Sequence, residues 1–454
     1  MNSPNQGTSG FCNYRWIICG LLFFSTTFNY MDRQVISYLK DYIFCVPAAQ
    51  GGFGWSNTDF AFLTSFFTGF YAGMTLLMGW VIDRIGTKLG LALSLIFWSV
   101  CGIVNAFVGR LLMSHVIIRS AFAVGEAGNF PASIKTVAEW FPKRERALAT
   151  GIFNAGSNSG AMIAALVVPV ILISFSHQLG WKMAFILTGA SGFLWLIFWF
   201  WLYETPQKQK RLSKAEYDYI HIDDEAAATD ANGAAAKFSW WRLFSYRQAW
   251  AFLFGKFMTD GIWWFYLFWL PDYLEKQFGM TTRQVMWPTF IVYGISIVGS
   301  IYGGSIPLTL IKKGMPVYRA RMTAMFLIAL APLTVLLTQF FGNVSVFGHA
   351  AAVLAIAMIS IGAAAHQAWS ANLFTTVSDM FPKKAVASVT GIGTTAGGIG
   401  GVIVQMLAGR LTDHFKQTPQ TAYLIMFVVC ALSYLIAWVV MKLLVPRHQP
   451  ITDL

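Results

Sequence analysis

The chain has 454 residues, of which 56% are hydrophobic and only 11% are charged. A soluble domain carries about 25% charged residues, so this composition excludes a soluble fold and makes lipid the solvent. The net charge of +12 does not indicate a nucleic-acid partner, because the basic residues are scattered in short loops rather than gathered on one stripe.

Apolar runs of roughly 20 residues, the length that crosses a bilayer, recur along the chain. They predict twelve membrane helices, which we number as spans 1 to 12. Spans 1 to 6 are expected near 14–39, 57–82, 88–108, 111–136, 146–174 and 181–203. Spans 7 to 12 are expected near 249–275, 284–307, 317–341, 346–377, 385–411 and 421–445. We therefore predict an all-α membrane protein with six-helix bundles at 1–203 and 249–454, joined by the polar loop 204–248.

Span 1 contains Asp32 and Arg33 side by side at membrane depth. An ionisable pair in this position costs several kcal/mol unless it has partners or meets water, so it marks a candidate functional site. An arginine suits a carboxylate ligand, because its planar guanidinium forms two parallel charge-assisted hydrogen bonds.

The loop after span 2 reads GWVIDRIGTK at 79–88 and resembles the signature loop of the major facilitator superfamily. The matching positions are Gly79, Asp83, Arg84, Gly86 and Lys88. The resemblance implies a conformational latch, in which Asp83 and Arg84 hold the two halves together on the cytoplasmic side in the outward-facing state. A tight turn with ordinary topology-setting charges is the alternative interpretation. The corresponding stretch of the second half, 303–314, lacks the Asp-Arg pair, so the latch is expected on one side only.

Span 4 carries Arg119 and Glu126, seven residues apart. Seven residues are two helical turns, which places both side chains on one face. A carboxyl group inside a protein can exchange a proton near neutral pH. The alternative interpretation is a structural ion pair between span 4 and a neighbouring helix.

The two halves repeat. Residues 138–163 align without gaps with 378–403, and the alignment pairs Gly151 with Gly391 and Gly160 with Gly400. Parallel six-span repeats with a mid-membrane site between them are typical of major facilitator transporters. Lysine and arginine are more frequent in the loops after spans 2, 4, 8 and 10 than on the opposite side, so both termini are expected in the cytoplasm.

Longer segments resemble one family within this superfamily. The run RSAFAVGEAGNFP in span 4 and NYMDRQV in span 1 are similar to the anion:cation symporter family. Segments 255–274 and 366–393 look specifically like bacterial hexuronate transporters, which import galacturonate and glucuronate. The resemblance extends over about residues 14–445. It implies an inner-membrane importer that carries an organic anion together with protons by alternating access.

The same resemblance implies roles for the charged residues. Arg33 would bind the substrate carboxylate, Asp32 and Glu126 would carry protons, and Arg119 would modulate them. We expect no cofactor or metal besides the coupling protons. The expected partners are a small organic anion and the lipid bilayer, with no nucleic acid, and the protein is expected to be a monomer.

A sugar ring also needs hydroxyl partners and an apolar face. The further candidates are Tyr30, Tyr71, Asn154, Asn158, Trp264, His366, Gln367, Trp369, Asn372 and Thr394. Amides that face lipid are costly, so the four amides should face inward. Interhelical hydrogen bonding is the alternative for each amide, and packing is the alternative for His366. Lys256 and Asp260, one turn apart in span 7, are interpreted as neutralising each other.

Other functions fit the sequence less well. The seven histidines are dispersed and no phosphate-binding glycine loop is visible, which disfavours a membrane enzyme and ATP-driven transport. An aldonate or aldarate such as galactonate or glucarate is the alternative substrate, because residue types do not distinguish a ring from an open chain. A non-transporting membrane sensor is the remote alternative.

Overall fold

The computed structural model describes residues 13–222, 240–348 and 350–451. Helices fill all twelve predicted spans, and the described residues contain no strand. Residues 223–239 of the predicted loop between the halves lie outside the described ranges.

Most of the predicted spans are single helices, and two are interrupted. Spans 1 to 6 are Tyr14–Leu39, Asn57–Ile85, Thr87–Val104, Leu112–Glu126 with Asn129–Trp140, Lys143–Ser174 and His177–Leu202. Spans 7 to 12 are Arg247–Phe278, Thr282–Lys312, Val317–Leu330 with Ala331–Leu337 and Thr338–Phe341, Ala350–Met380, Lys383–His414 and Pro419–Leu444. Short helices at Lys214–Ile220, Trp240–Leu243 and Val344–Phe347 lie in the connections.

Spans 1, 4 and 7 differ from the others in polarity or continuity. In the described part of the chain, nine helices are long and apolar enough to cross a membrane by length and composition alone, and these three are not among them. Span 4 is divided after Glu126. Spans 1 and 7 carry membrane-depth charges, among them Arg33 and Asp260. Such residues generally face a bundle interior or a water-filled cavity, so these three spans are the ones expected to line a site.

The repeated glycines allow close helix contacts in both halves. A Cβ atom at Gly160 of span 5 would collide with the Thr27 carbonyl of span 1, because it would lie much closer than the van der Waals distance. A Cβ atom at Gly400 of span 11 would collide in the same way with the Phe257 carbonyl of span 7. Small residues at these positions let the backbones approach closely in lipid.

The variant Gly160→Ala should therefore destabilise the fold, by about 1–3 kcal/mol if the helices must shift to make room. Gly151, on the same helix, has open space around its Cβ position, so Gly151→Ala is the matched control and should keep or raise stability. Melting temperatures of the purified variants in one detergent compare them. Equal values for the two variants would contradict the proposed packing constraint.

Candidate functional site

Arg33 is fully buried in span 1 and forms an ion pair with Glu126 of span 4, which is also fully buried. The Arg33 Nη2 and Nε atoms lie 2.9 and 3.0 Å from Glu126 Oε2. Nη2 also donates to Asn29 Oδ1 at 3.2 Å. Arg33 Nη1 and Glu126 Oε1 have no hydrogen-bond partner among the described residues. The pair therefore keeps unused donor and acceptor capacity.

Four aromatic rings surround the Arg33 guanidinium, and we call them the aromatic cage. The ring centroids of Tyr30, Tyr71, Trp264 and Phe67 lie 4.3, 4.5, 5.2 and 5.4 Å from its central carbon. Aromatic faces attract a cation, and Trp264 belongs to span 7, so both halves contribute. Sequence reasoning found three of the rings but missed Phe67, whose only signal is its position one turn before Tyr71.

Asp32 and Arg119 lie beside this pair but are bonded differently. Both carboxylate oxygens of Asp32 are buried without a hydrogen-bond partner in the described ranges. Thr188 and Trp98, in spans 6 and 3, are its polar neighbours. Arg119 donates from Nη2 to the Arg33 carbonyl at 3.3 Å, while its other guanidinium nitrogens have no partner among the described residues. The first half thus contains two acids and two arginines whose hydrogen-bonding capacity is only partly used.

Two of the predicted amides, Asn158 and Gln367, lie at the boundary between the halves. Asn158 Oδ1 accepts hydrogen bonds from Ser296 Oγ and Gln367 Nε2, both at 3.3 Å. These bonds connect span 5 with spans 8 and 10. Asn154, one turn from Asn158, is exposed. Asn158 and Gln367 are therefore brought together, whereas Asn154 is not bonded to them.

His366 and Trp369 have their contacts within the second half. His366 Nδ1 lies 2.8 Å from the Tyr434 hydroxyl, and its ring stacks on Trp263 at 5.2 Å. Trp369 is fully buried and meets the Tyr434 ring edge-on at 5.6 Å. Neither side chain joins the aromatic cage in this structure.

Asn372 and Thr394 also bond to backbone. Asn372 Nδ2 donates to the Gly303 carbonyl at 2.9 Å, which ties span 10 to span 8. Thr394 donates to the Thr390 carbonyl of its own helix at 3.0 Å. The Asn372 contact matches the alternative of an interhelical hydrogen bond, and a substrate role for either residue stays a prediction.

The residues of the predicted latch pair within the first half. Asp83 accepts from Lys135 at 2.9 Å, Arg84 stacks on Trp80 at 3.8 Å, and Lys88 contacts Glu204 at 2.6 Å. The hydrogen bond from the Lys88 ammonium holds the pKa of the Glu204 carboxyl below its usual value. Two glycines shape this region: Gly86 ends span 2 with a φ of 84°, which favours glycine, and Gly79 faces Pro131 of span 4.

The halves are joined by ion pairs at the end of the bundle opposite the chain termini, which we call the far end. Lys40, after span 1, forms a buried ion pair with Asp272 of span 7. Lys276 lies 2.6 Å from Asp272 and 3.7 Å from Asp41 of the first half. Sequence reasoning counted Lys40 and Lys276 only as topology signals, because nothing in the sequence pairs them across the halves.

A second far-end contact caps a helix across the boundary. Asp413 of span 11 accepts hydrogen bonds from the Asn57 amide and side chain, both at 3.0 Å, and from the Thr58 amide at 2.6 Å. These two amides begin span 2, where free N–H groups and the helix dipole favour a carboxylate. Further bonds between the halves, such as Thr395 to the Ala72 carbonyl, extend this contact to mid-membrane. The structure is therefore closed at the far end.

Comparisons with known proteins agree with this architecture. The family model described as Major Facilitator Superfamily matches residues 22–405. The chain belongs to the major facilitator superfamily. The superfamily predicted from the loop at 79–88 and the six-span repeat is thereby confirmed. Its fold and its family membership make the protein a multi-pass membrane transporter.

Its relatives include transporters of sugar acids. The chain is 29% identical over 433 residues to the hexuronate transporter of Escherichia coli K12, covering 94% of each chain. It is 27% identical to the D-galactonate transporter of Escherichia coli O6:H1, covering 93% of this chain and 95% of that one. Among solved structures, an inward-facing bacterial homolog of the human lysosomal transporter Spinster superposes with a TM-score of 0.71 at 17% identity, covering 96% and 97% of the two chains.

The far-end contacts generate a test with a native cysteine. Cys45 is half-buried and lines an open pocket of about 300 Å³ together with Asp413 and Lys276. Asp413→Ala should weaken the closed far end and raise the rate at which a membrane-impermeant maleimide labels Cys45. Hydrogen bonds to a charged group contribute about 1.5–3 kcal/mol each, so an increase of about tenfold is expected.

Lys416→Ala is the matched control, because Lys416 is 65% exposed and lies 3.6 Å from the same carboxylate. Exposed pairs of this kind contribute little, so its labelling rate should equal that of the unmodified protein. A Cys45→Ser background measures labelling elsewhere. Equal rates for Asp413→Ala and Lys416→Ala would contradict the closing role of Asp413.

Proposed function

We propose that the protein imports a sugar-acid anion, a hexuronate such as galacturonate or glucuronate, together with protons by alternating access. The observation that carries this proposal is the Arg33–Glu126 pair inside the aromatic cage. It combines a carboxylate-binding cation, a protonatable competitor for that cation and flat apolar surfaces in one place. The hexuronate relative supports the choice of substrate class.

Competition for Arg33 supplies the coupling. In this structure Glu126 occupies the Arg33 guanidinium through two contacts to one oxygen. A substrate carboxylate needs the same donors, so it binds best when Glu126 is protonated and no longer an anion. By linkage, bound substrate then favours the proton on Glu126. Substrate and proton therefore load together, which is symport.

The remaining groups suit a sugar. The rings of Tyr30, Tyr71 and Trp264 offer faces on which the C–H side of a sugar can rest. Asn158 and Gln367 offer amides for hydroxyl groups at the boundary between the halves. Asp32 is buried near Arg119, and we propose it as the second proton carrier.

The far-end contacts support alternating access. With both termini in the cytoplasm of a bacterial inner membrane, the far end faces outward and the structure is closed to the outside. Opening outward requires Lys40 to leave Asp272 and Asp413 to leave the start of span 2. Asp83 and Arg84, now paired within the first half, would then be free to latch the opposite side.

An open-chain aldonate or aldarate is the alternative substrate, and the D-galactonate relative favours the aldonate. A thermal-shift screen of the purified protein against uronates, aldonates and aldarates tests the substrate class. Uptake into proteoliposomes separates a transporter from a sensor that binds without cycling. Uptake that follows a sodium gradient and ignores pH would contradict proton coupling.

We expect Arg33→Lys to abolish high-affinity anion binding, because lysine cannot form the two parallel hydrogen bonds of a guanidinium. The loss should be at least about tenfold in Kd, since a hydrogen bond to a charged group is worth about 1.5–3 kcal/mol. Isothermal titration with galacturonate measures it. Arg110→Lys, at an exposed position, is the control, and an unchanged Kd for Arg33→Lys would remove Arg33 from the site.

We expect Glu126→Gln to bind substrate and exchange it across the membrane but to lose proton-driven accumulation. The amide resembles the protonated acid and leaves Arg33 available, yet it cannot release a proton. Counterflow and accumulation, measured on the same proteoliposomes, separate the two activities. Accumulation against a gradient at the parental level would make Glu126 a structural acid and overturn the coupling scheme.

A further inference from the structure

We propose that Asp260 of span 7 accepts hydrogen bonds from the hydroxyl end of the bound sugar acid and excludes a second carboxylate there. This proposal rests on the proposed function and makes Asp260 a specificity-determining residue. The protein should accordingly select sugar acids with one carboxylate over those with a carboxylate at both ends.

The position of Asp260 relative to the cage is the first step. Asp260 lies one helical turn before Trp264, about 6 Å along the axis, and the Trp264 ring is 5.2 Å from the Arg33 guanidinium. The path from the Arg33 guanidinium across the Trp264 ring to Asp260 is comparable to the length of a six-carbon sugar acid. An anion whose carboxylate is bound by Arg33 and whose body lies along Trp264 therefore presents its other end to Asp260.

The packing of span 7 on span 11 supports the same placement. Gly397 and Gly401 of span 11 are one turn apart, and they face Asp260 and Trp264 respectively. A Cβ atom at Gly397 would collide with the Asp260 carboxylate, and one at Gly401 would press on the Trp264 ring. The two side chains therefore lie along one glycine-lined contact, so Asp260 continues the surface that begins at Trp264.

Asp260 also has capacity to spare for a ligand. Its Oδ2 lies 2.6 Å from Lys256 Nζ, and its side chain keeps 16% exposure although it sits deep in a membrane helix. Oδ1 takes no part in that ion pair. Lys256 is 6% exposed and rests over the Phe374 ring at 4.5 Å. Charged side chains at this depth generally face a substrate or ion pathway.

The charges decide what this end accepts. A carboxylate accepts hydrogen bonds from hydroxyl groups, and such charge-assisted bonds are about twice as strong as neutral ones. The ion pair with Lys256 holds the Asp260 carboxylate in place. A second carboxylate on the substrate would instead meet a like charge, which costs several kcal/mol at a desolvated contact.

The test uses three ligands with the full-length purified protein at neutral pH. Galactonate and galactarate are both open chains with the same internal hydroxyl groups, and they differ only in carrying a CH2OH group or a carboxylate at one end. Galacturonate is a sugar ring that carries one carboxylate. Isothermal titration gives the Kd of each ligand for the wild-type protein, Asp260→Asn and Lys256→Gln/Asp260→Asn. Asp218→Asn, which removes an exposed acid from the short helix Lys214–Ile220, is the matched control.

The proposal predicts an order of selectivity. The wild-type protein should prefer galactonate to galactarate by about tenfold or more. Asp260→Asn should lose this preference or invert it, because Lys256 becomes free to attract the second carboxylate. The double variant should fall between the two, because neither charge remains. Asp260→Asn should also weaken galacturonate binding several-fold, since the charged acceptor is lost, and Asp218→Asn should change nothing.

Two outcomes overturn the proposal. One is a galactonate-to-galactarate preference that is the same in the wild-type protein and Asp260→Asn, with galacturonate binding unchanged. The other is a wild-type protein that prefers galactarate. If the wild-type protein binds none of the three acids, the proposed function itself is wrong, and this result is distinct from either of the others.

Discussion

A charge inside a membrane protein is costly unless it has a partner or meets water, and the Arg33–Glu126 ion pair is the main response to this constraint here. Neither side chain has measurable exposure. Removing one partner would leave an uncompensated buried charge, which commonly costs 3–5 kcal/mol. Only another carboxylate can replace Glu126 at little cost. In the proposed function, the need to neutralise Arg33 accounts both for the preference for an anion and for the exchange with a protonatable acid.

The same constraint acts between the halves. Lys40 and Asp272 are buried as a pair at the far end, and Asp413 satisfies the first amides of span 2 from the other half. These contacts stabilise one arrangement of the halves and must be exchanged for water when the far end opens. In the proposed cycle, this exchange would have to leave the two arrangements within a few kcal/mol of each other.

The sequence was sufficient for the fold because lipid imposes a simple rule on length and polarity, and because the glycines at 160 and 400 repeat. It singled out Arg33 and Glu126, which the structure pairs inside the bundle, because charge at membrane depth is rare. It missed Phe67 and Asp413, since an aromatic residue in an apolar span and an acid near a helix end are common. Helical spacing placed His366 and Trp369 on one face but could not say that this face meets Tyr434 rather than the cage. Which residues share a face is local information, whereas what the face meets is decided by the packing of the halves.

The division of groups between the halves has a consequence for the proposed cycle. Arg33 and Glu126 both belong to the first half, so their pairing does not depend on how the halves are arranged. The contact with Trp264, and the proposed contact with Asp260, need the second half in place. Proton exchange on Glu126 can therefore occur on either side of the membrane, while the full set of substrate contacts forms only when the halves approach. When Glu126 is protonated and substrate is bound, closing adds contacts between the substrate and the second half. When Glu126 is ionised, it already occupies Arg33, so closing adds fewer contacts. Coupling then follows from which half carries each charge.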